Sequence, residues 1–182
     1  MRQFAADPPV EQRVAAALDR TDATVAVAES CTGGRIGSLL TDVPGASDFF
    51  DRGLVTYSEA AKRDELGVDR AVLAEHSATS APVARQMALG CRRVADTTWG
   101  LSTTGLAGPA GDDSDTPVGV VFVGVAAETD ADAARPGDDG GAAAAPRATV
   151  ERYRFSGERR AVKEKMARQA LWDLLGAIET RE

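Results

Sequence analysis

Ser30, Tyr57 and Lys62 fall in two short stretches, AESCTGG at 28–34 and TYSEAAK at 56–62, and a third stretch, TTGLAGPAG at 103–111, supplies hydroxyls and glycines. Hydrolysis of an amide needs a nucleophile, a group to take and return its proton, and donors for the oxyanion. Two neighbours compete as nucleophile. Ser30 precedes a glycine turn, where its alternative task is to bond the loop backbone. Cys31 would be the stronger nucleophile as a thiolate at a helix N-terminus, or else an inert buried hydrophobe. Lys62 serves as a base only if its surroundings bring its pKa down from about 10.4. Arginine could not do this. The lysines are Lys62, Lys163 and Lys165, within a Lys+Arg total of 21, so a lysine at 62 is suggestive in a chain that otherwise uses arginine. Its alternative is a solvated lysine on an exposed helix. Tyr57 could relay the proton or hold the amide, or be a half-buried aromatic.

These residues need a scaffold that brings separate stretches together. A helix is predicted over 9–20, where Val10, Val14, Ala17 and Leu18 recur at helical spacing, and a central strand over 24–28. The chain then turns at Gly33 and Gly34 into a helix at 35–41, which puts Ser30 and Thr32 where backbone N–H groups converge. Pro44 and Gly45 mark a turn, 53–57 reads as a strand, and 59–66 as a short helix ending at Gly67. Ser80 and Pro82 open a helix carrying Val83, Met87, Cys91 and Val94, followed by an inner strand at 99–104. A nearly continuous apolar run at 118–127 predicts a strand covered on both faces, paired as a hairpin with 150–155. The last helix spans 158 to about 179 and shows Val162, Met166, Ala170, Leu171, Leu174 and Ile178 on one face. Residues 129–146 are low-complexity and read as a mobile hairpin extension. The expected fold is α/β, a single three-layer domain with a mainly parallel sheet between helices.

Composition narrows the chemistry. At 182 residues the chain has the size of one domain. A net charge of −7 disfavours nucleic acid as a partner, because the field repels phosphate backbones. The acid-rich, lysine-poor usage fits salt adaptation and GC-rich codon usage equally well. No apolar run approaches a membrane span and residues 1–10 lack the order of a signal peptide, so a cytoplasmic protein with no membrane partner is expected. Cys31, Cys91 and His76 are too few for a zinc site of the usual Cys/His kind. Asp112, Asp113 and Asp115 read as solvated carboxylates, and His76 as a helix-end or surface residue. Neither metal nor cofactor is expected.

The three stretches together, with PGASDFFDRGLVTYS, the PVG at 117–119 and FSGERRAVKEK at 155–165, resemble the C-terminal domain family of the competence-damage protein CinA. Its stand-alone members are amidohydrolases that convert nicotinamide mononucleotide to nicotinic acid mononucleotide. The resemblance implies Ser30 as nucleophile, with Lys62, aided by Tyr57, as base, and the backbone N–H groups of Cys31, Thr32, Gly33 and Gly34 around the oxyanion. It implies Thr104, Gly105, Gly108 and Arg159 at the ribose phosphate, with Arg160 and Lys163 as nearby substitutes for Arg159. The chain departs from the family's usual residues at Glu59 and Ala110. The implied partner is a small mononucleotide, and a homo-oligomer is expected. The rival reading is a mononucleotide-binding regulatory or interaction module that has lost turnover.

Overall fold

The computed structural model describes residues 7–108, 116–128 and 147–181. Its sheet has the order β2-β1-β3-β4-β5. The strands are β1 (Val25–Glu29), β2 (Phe50–Val55), β3 (Trp99–Gly105), β4 (Val120–Ala127) and β5 (Arg147–Arg154). β1 runs parallel to both β2 and β3, while β4 is antiparallel to β3 and to β5. The expected α/β architecture is present, its parallel half extended by the 120–127/147–154 hairpin. The extension read at 129–146 and the acidic cluster at Asp112, Asp113 and Asp115 lie outside the described residues.

Strand β1 shows how two-residue alternation builds three layers. Val25 and Val27 join a core with Val14 and Leu18 of α1 (Val10–Arg20), Ile36 and Leu40 of α2 (Arg35–Thr41), and the buried stripe of the C-terminal helix. Ala26 and Ala28 face the other way, against Leu66 of α3 (Glu59–Leu66), Leu73 of α4 (Arg70–His76), and Val83, Met87 and Cys91 of α5 (Ala81–Ala95). The small side chains on this second face let α5 approach closely. A Cβ on Gly100 of β3 would stand 2.2 Å from the Ala88 carbonyl, and one on Gly124 of β4 would stand 2.6 Å from that of Ala84. Ser102, between them on the same face, donates to the Ala84 carbonyl at 2.7 Å. The final helix, α6 (Arg159–Arg181), buries all six apolar residues expected of it. No helix among the described residues is long and apolar enough to cross a membrane.

The differences from expectation lie at edges. β2 begins at Phe50, not 53, because β1 supplies hydrogen-bonding partners to Phe50 and Arg52 whatever their polarity. β5 begins three residues early for the same reason, paired to β4 from Arg147 onward. Helix α4 was not expected; it is one short amphipathic turn pair with Leu73 buried, started by Asp69, whose carboxylate accepts the Ala71 N–H at 2.8 Å. Ser80 holds the N-cap position of α5 but turns its hydroxyl to the Ser77 carbonyl, and Val94 is exposed instead of joining the core.

Candidate active site

Register brings the three stretches together. Glu29, the last residue of β1, is level with Val55 on β2 and with Thr103 on β3. The residues that follow, Ser30, Thr56–Tyr57 and Thr104–Gly105, therefore emerge side by side at the carboxyl ends of three parallel strands, the position where open α/β sheets bind ligands. A cleft of about 300 Å³ opens there, lined by Ser30, Cys31, Tyr57, Lys62, Thr104, Gly105, Gly108 and Arg159 among others. A larger groove of roughly 720 Å³ lies beside Trp99 and Trp172, where Tyr153 donates to Asp173 at 2.8 Å.

Lys62 and Ser30 are in contact at its floor. The Lys62 side chain is 1 % exposed, and its ammonium donates to Ser30 Oγ at 3.1 Å, to the Thr56 carbonyl at 2.9 Å and to the Tyr57 carbonyl at 3.1 Å. Ser58 fixes the lysine's place: its hydroxyl accepts the Ala61 N–H at 3.1 Å and starts α3 so that Lys62 falls in the first turn, pointing back under β2. Burial draws the Lys62 pKa below the ordinary lysine range, against the opposing pull of the Glu59 carboxylate. An amine that loses a proton here keeps two N–H bonds, and two carbonyls are in place to take them. Its lone pair is then left for Ser30.

Cys31 is buried, and that burial pushes its thiol up to about 12. The group is a neutral thiol at pH 7 and a poor nucleophile. Cys91, on α5, is buried against β1 and β3, with its thiol likewise pushed up to about 12. The native protein should accordingly resist thiol alkylation over the minutes in which denatured protein is fully labelled, as read by intact mass. Cys31→Ala should keep turnover within about threefold, whereas a thiolate nucleophile would lose it outright.

Glu29, which the sequence reading passed over, organises the turn after Ser30. It is 1 % exposed, and its two carboxylate oxygens accept the N–H groups of Gly34 and Gly37, each at 2.9 Å. A charged residue closing an otherwise apolar strand, six positions before a helix, was the available signal. The contact uses the first amides of α2, so the Gly34 N–H is already engaged; so is that of Ser30, which donates to the Thr103 carbonyl at 3.0 Å. Cys31, Thr32 and Gly33 keep amides that make no hydrogen bond among the described residues. Gly33 and Gly34 take φ of +62° and +88°, which bends the chain from strand to helix within this turn. Glu29→Ala should cost roughly 1–3 kcal/mol in denaturant unfolding by orphaning two part-buried amides; a loss under about 0.5 kcal/mol would contradict this role.

The remaining residues are placed as follows. The Thr32 hydroxyl pairs with that of Thr103 at 2.7 Å, away from solvent. Thr104 donates to the Ala78 carbonyl at 2.6 Å, so only its lone pairs remain for a ligand in the cleft. Gly105 lines the cleft, yet its lack of a side chain is required by the sheet, since a Cβ would stand 2.2 Å from the Val120 carbonyl. Tyr57 lies just past β2, 62 % exposed, with its hydroxyl 3.5 Å from Arg159. Its carbonyl, and not its ring, is what touches Lys62. Arg159 opens α6 and also donates to the Gly108 carbonyl, so it spans the cleft mouth. Arg160 is exposed beside it, and His76 ends α4 next to the exposed Glu75.

A serine and a buried lysine at the carboxyl edge of a parallel sheet define an α/β protein with a Ser–Lys pair in its cleft. The comparisons place it further: the model for the CinA C-terminal domain matches residues 7–137, and the chain belongs to that family. It is 45 % identical to a CinA-like protein of Chlorobaculum tepidum over 159 residues, 87 % of this chain and 35 % of that one. A CinA-like protein of Salinibacter ruber is 51 % identical over 120 residues, 66 % of this chain and 29 % of that one. The chain thus spans about a third of the length of the curated relatives it matches. Among solved structures, competence damage-inducible protein A from Klebsiella pneumoniae superposes with a TM-score of 0.80 at 30 % identity, covering 92 % of this chain and 93 % of that one. The competence/damage inducible protein CihA from Agrobacterium tumefaciens gives 0.79 at 31 % identity, covering 93 % of each.

Proposed function

We propose that this protein is an amidohydrolase that converts nicotinamide mononucleotide to nicotinic acid mononucleotide and ammonia. The observation that carries the reading is the buried Lys62 Nζ, 3.1 Å from Ser30 Oγ. A charged lysine is expensive to bury, and its lowered pKa turns that cost into the property a general base needs near neutral pH.

The sequence of steps follows from that pair. With the carboxamide in the cleft, neutral Lys62 takes the Ser30 hydroxyl proton as Oγ bonds to the amide carbon. The C=O electron pair moves onto oxygen, where the amides of Cys31, Thr32 and Gly33 in the turn after Ser30 are the available donors. The oxyanion then collapses, the C–N bond breaks, and Lys62 returns its proton to the leaving nitrogen, which departs as ammonia. Water attacks the Ser30 ester with Lys62 again accepting a proton, and the ester breaks to release the carboxylate and restore the serine. Arg159 at the mouth and the wall formed by 104–108 take the ribose phosphate end of the substrate. No step calls for a metal, so turnover should continue in chelator.

Ammonia release by purified protein from nicotinamide, its riboside and its mononucleotide tests the proposal. The mononucleotide should be the best substrate by at least about tenfold in kcat/KM, since only it offers Arg159 a charge-assisted partner. Equal rates on riboside and mononucleotide would remove Arg159 from substrate binding, and release from none of them would leave the domain as a binding module.

A further inference from the structure

The sheet face that carries α6 runs out of cover at β5. Arg147, Thr149, Glu151 and Tyr153 alternate along this strand and so share one side of it, where with α6 they wall the groove of about 720 Å³ over Val123 and Val125. Arg147, Thr149 and Glu151 are exposed and Trp172 is partly so. Gly176 adds to the opening. It sits inside α6, where glycine is less favourable than alanine, yet a Cβ there would meet nothing within 4 Å. Packing within one chain gives no reason for this glycine, whereas close approach of a second molecule to the helix does.

The groove is also charged in opposite senses at its two ends. Trp99, Ala127 and Arg147 are level across β3, β4 and β5, and the Arg181 guanidinium lies over the Trp99 ring, 5.7 Å from its centroid, so both arginines stand at one end. Glu151 stands further along the groove beside Tyr153, which donates to Asp173 at 2.8 Å. Arg147 and Glu151 are four strand residues apart, roughly 13 Å, too far to pair with each other. Neither forms an ion pair among the described residues.

We propose that this groove is the interface between two copies of the chain, packed face to face about a two-fold axis that crosses its middle. A groove with a basic and an acidic end is complementary to itself under such an axis: the basic end of each copy meets the acidic end of the other, so the same charge pair is made twice. The contact also closes the apolar floor and the Trp172 ring from water, and the bare backbone at Gly176 lets the copies approach. The proposal stands apart from the amidase reading, since none of the groove's residues lines the cleft of Ser30 and Lys62.

The test is the mass of the full chain by light scattering during size exclusion, with tryptophan emission followed on dilution. Wild type should run at twice the chain mass at tens of micromolar, and its emission should move to longer wavelength as the dimer dissociates, because the chain's two tryptophans, Trp99 and Trp172, both line the groove. Arg147→Glu and Glu151→Arg, both at exposed positions, should each weaken the dimer about tenfold or more by setting like charges together. An equimolar mixture of the two should dimerise as wild type does, since each copy then brings the charge that the other needs. Gly176→Gln should weaken the dimer by a similar factor yet melt no earlier than Arg147→Glu, as its side chain has room within a single chain. A monomeric wild type, a dimer indifferent to both charge reversals, or a mixture no tighter than the separate variants would overturn the proposal.

Discussion

Ser30→Ala should abolish ammonia release from nicotinamide mononucleotide, by at least on the order of 10³-fold in kcat, while the substrate still binds. The hydroxyl is the atom that forms the acyl bond, and its neighbour cannot replace it. Cys31 is buried with its thiol held protonated, so removing Ser30 leaves the cleft with Lys62 and no partner for it to activate. Substrate affinity should be within a few-fold of wild type, since Arg159 and the 104–108 wall do not depend on Oγ. Substantial turnover by Ser30→Ala, or its loss in Cys31→Ala instead, would make the thiol the nucleophile.

Lys62→Arg should fail nearly as badly as Lys62→Met, each losing on the order of 10² to 10⁴ in kcat. Guanidinium keeps the positive charge and can still donate to carbonyls, but it holds its proton at any working pH. The comparison separates a base from a fixed cation: a lysine that merely supplied charge would be rescued by arginine, and methionine would raise KM instead of lowering kcat. Both variants need a melting curve beside the rates, because each disturbs a buried side chain that satisfies the carbonyls of Thr56 and Tyr57.

Much of this arrangement is legible in the residues themselves. The helices at 10–20, 35–41, 59–66, 81–95 and 159–181 carry apolar periods and capping residues that a single sequence displays. Lys62 stood out because arginine would have been the chain's ordinary choice. What the residues do not display is which groups pair, near or far along the chain. The start of β2 is set by β1's hydrogen bonds and not by its own exposed residues, so Asp51 and Arg52 gave no strand signal. The Glu29 carboxylate looked like the end of a strand until its two amide partners were seen. Tyr57 was expected to act through its phenol, but its carbonyl holds the lysine. Lys163 could be placed near Arg159 from sequence, whereas its contact with Gly33, 130 positions away, requires the packing of α6 on the β1–α2 turn.

The pH dependence of kcat/KM for the mononucleotide tests the neutral-lysine account most directly. The free enzyme must have Lys62 deprotonated, so the rate should fall as pH drops below its pKa and level off above it. That pKa lies under the ordinary lysine value because burial disfavours the ammonium. The account expects a rising limb whose midpoint is clearly below about 10.4, still present in His76→Gln and missing from the residual activity of Lys62→Arg. A profile flat from pH 6 to 9, or a limb near about 6.5 that disappears with His76, would contradict it.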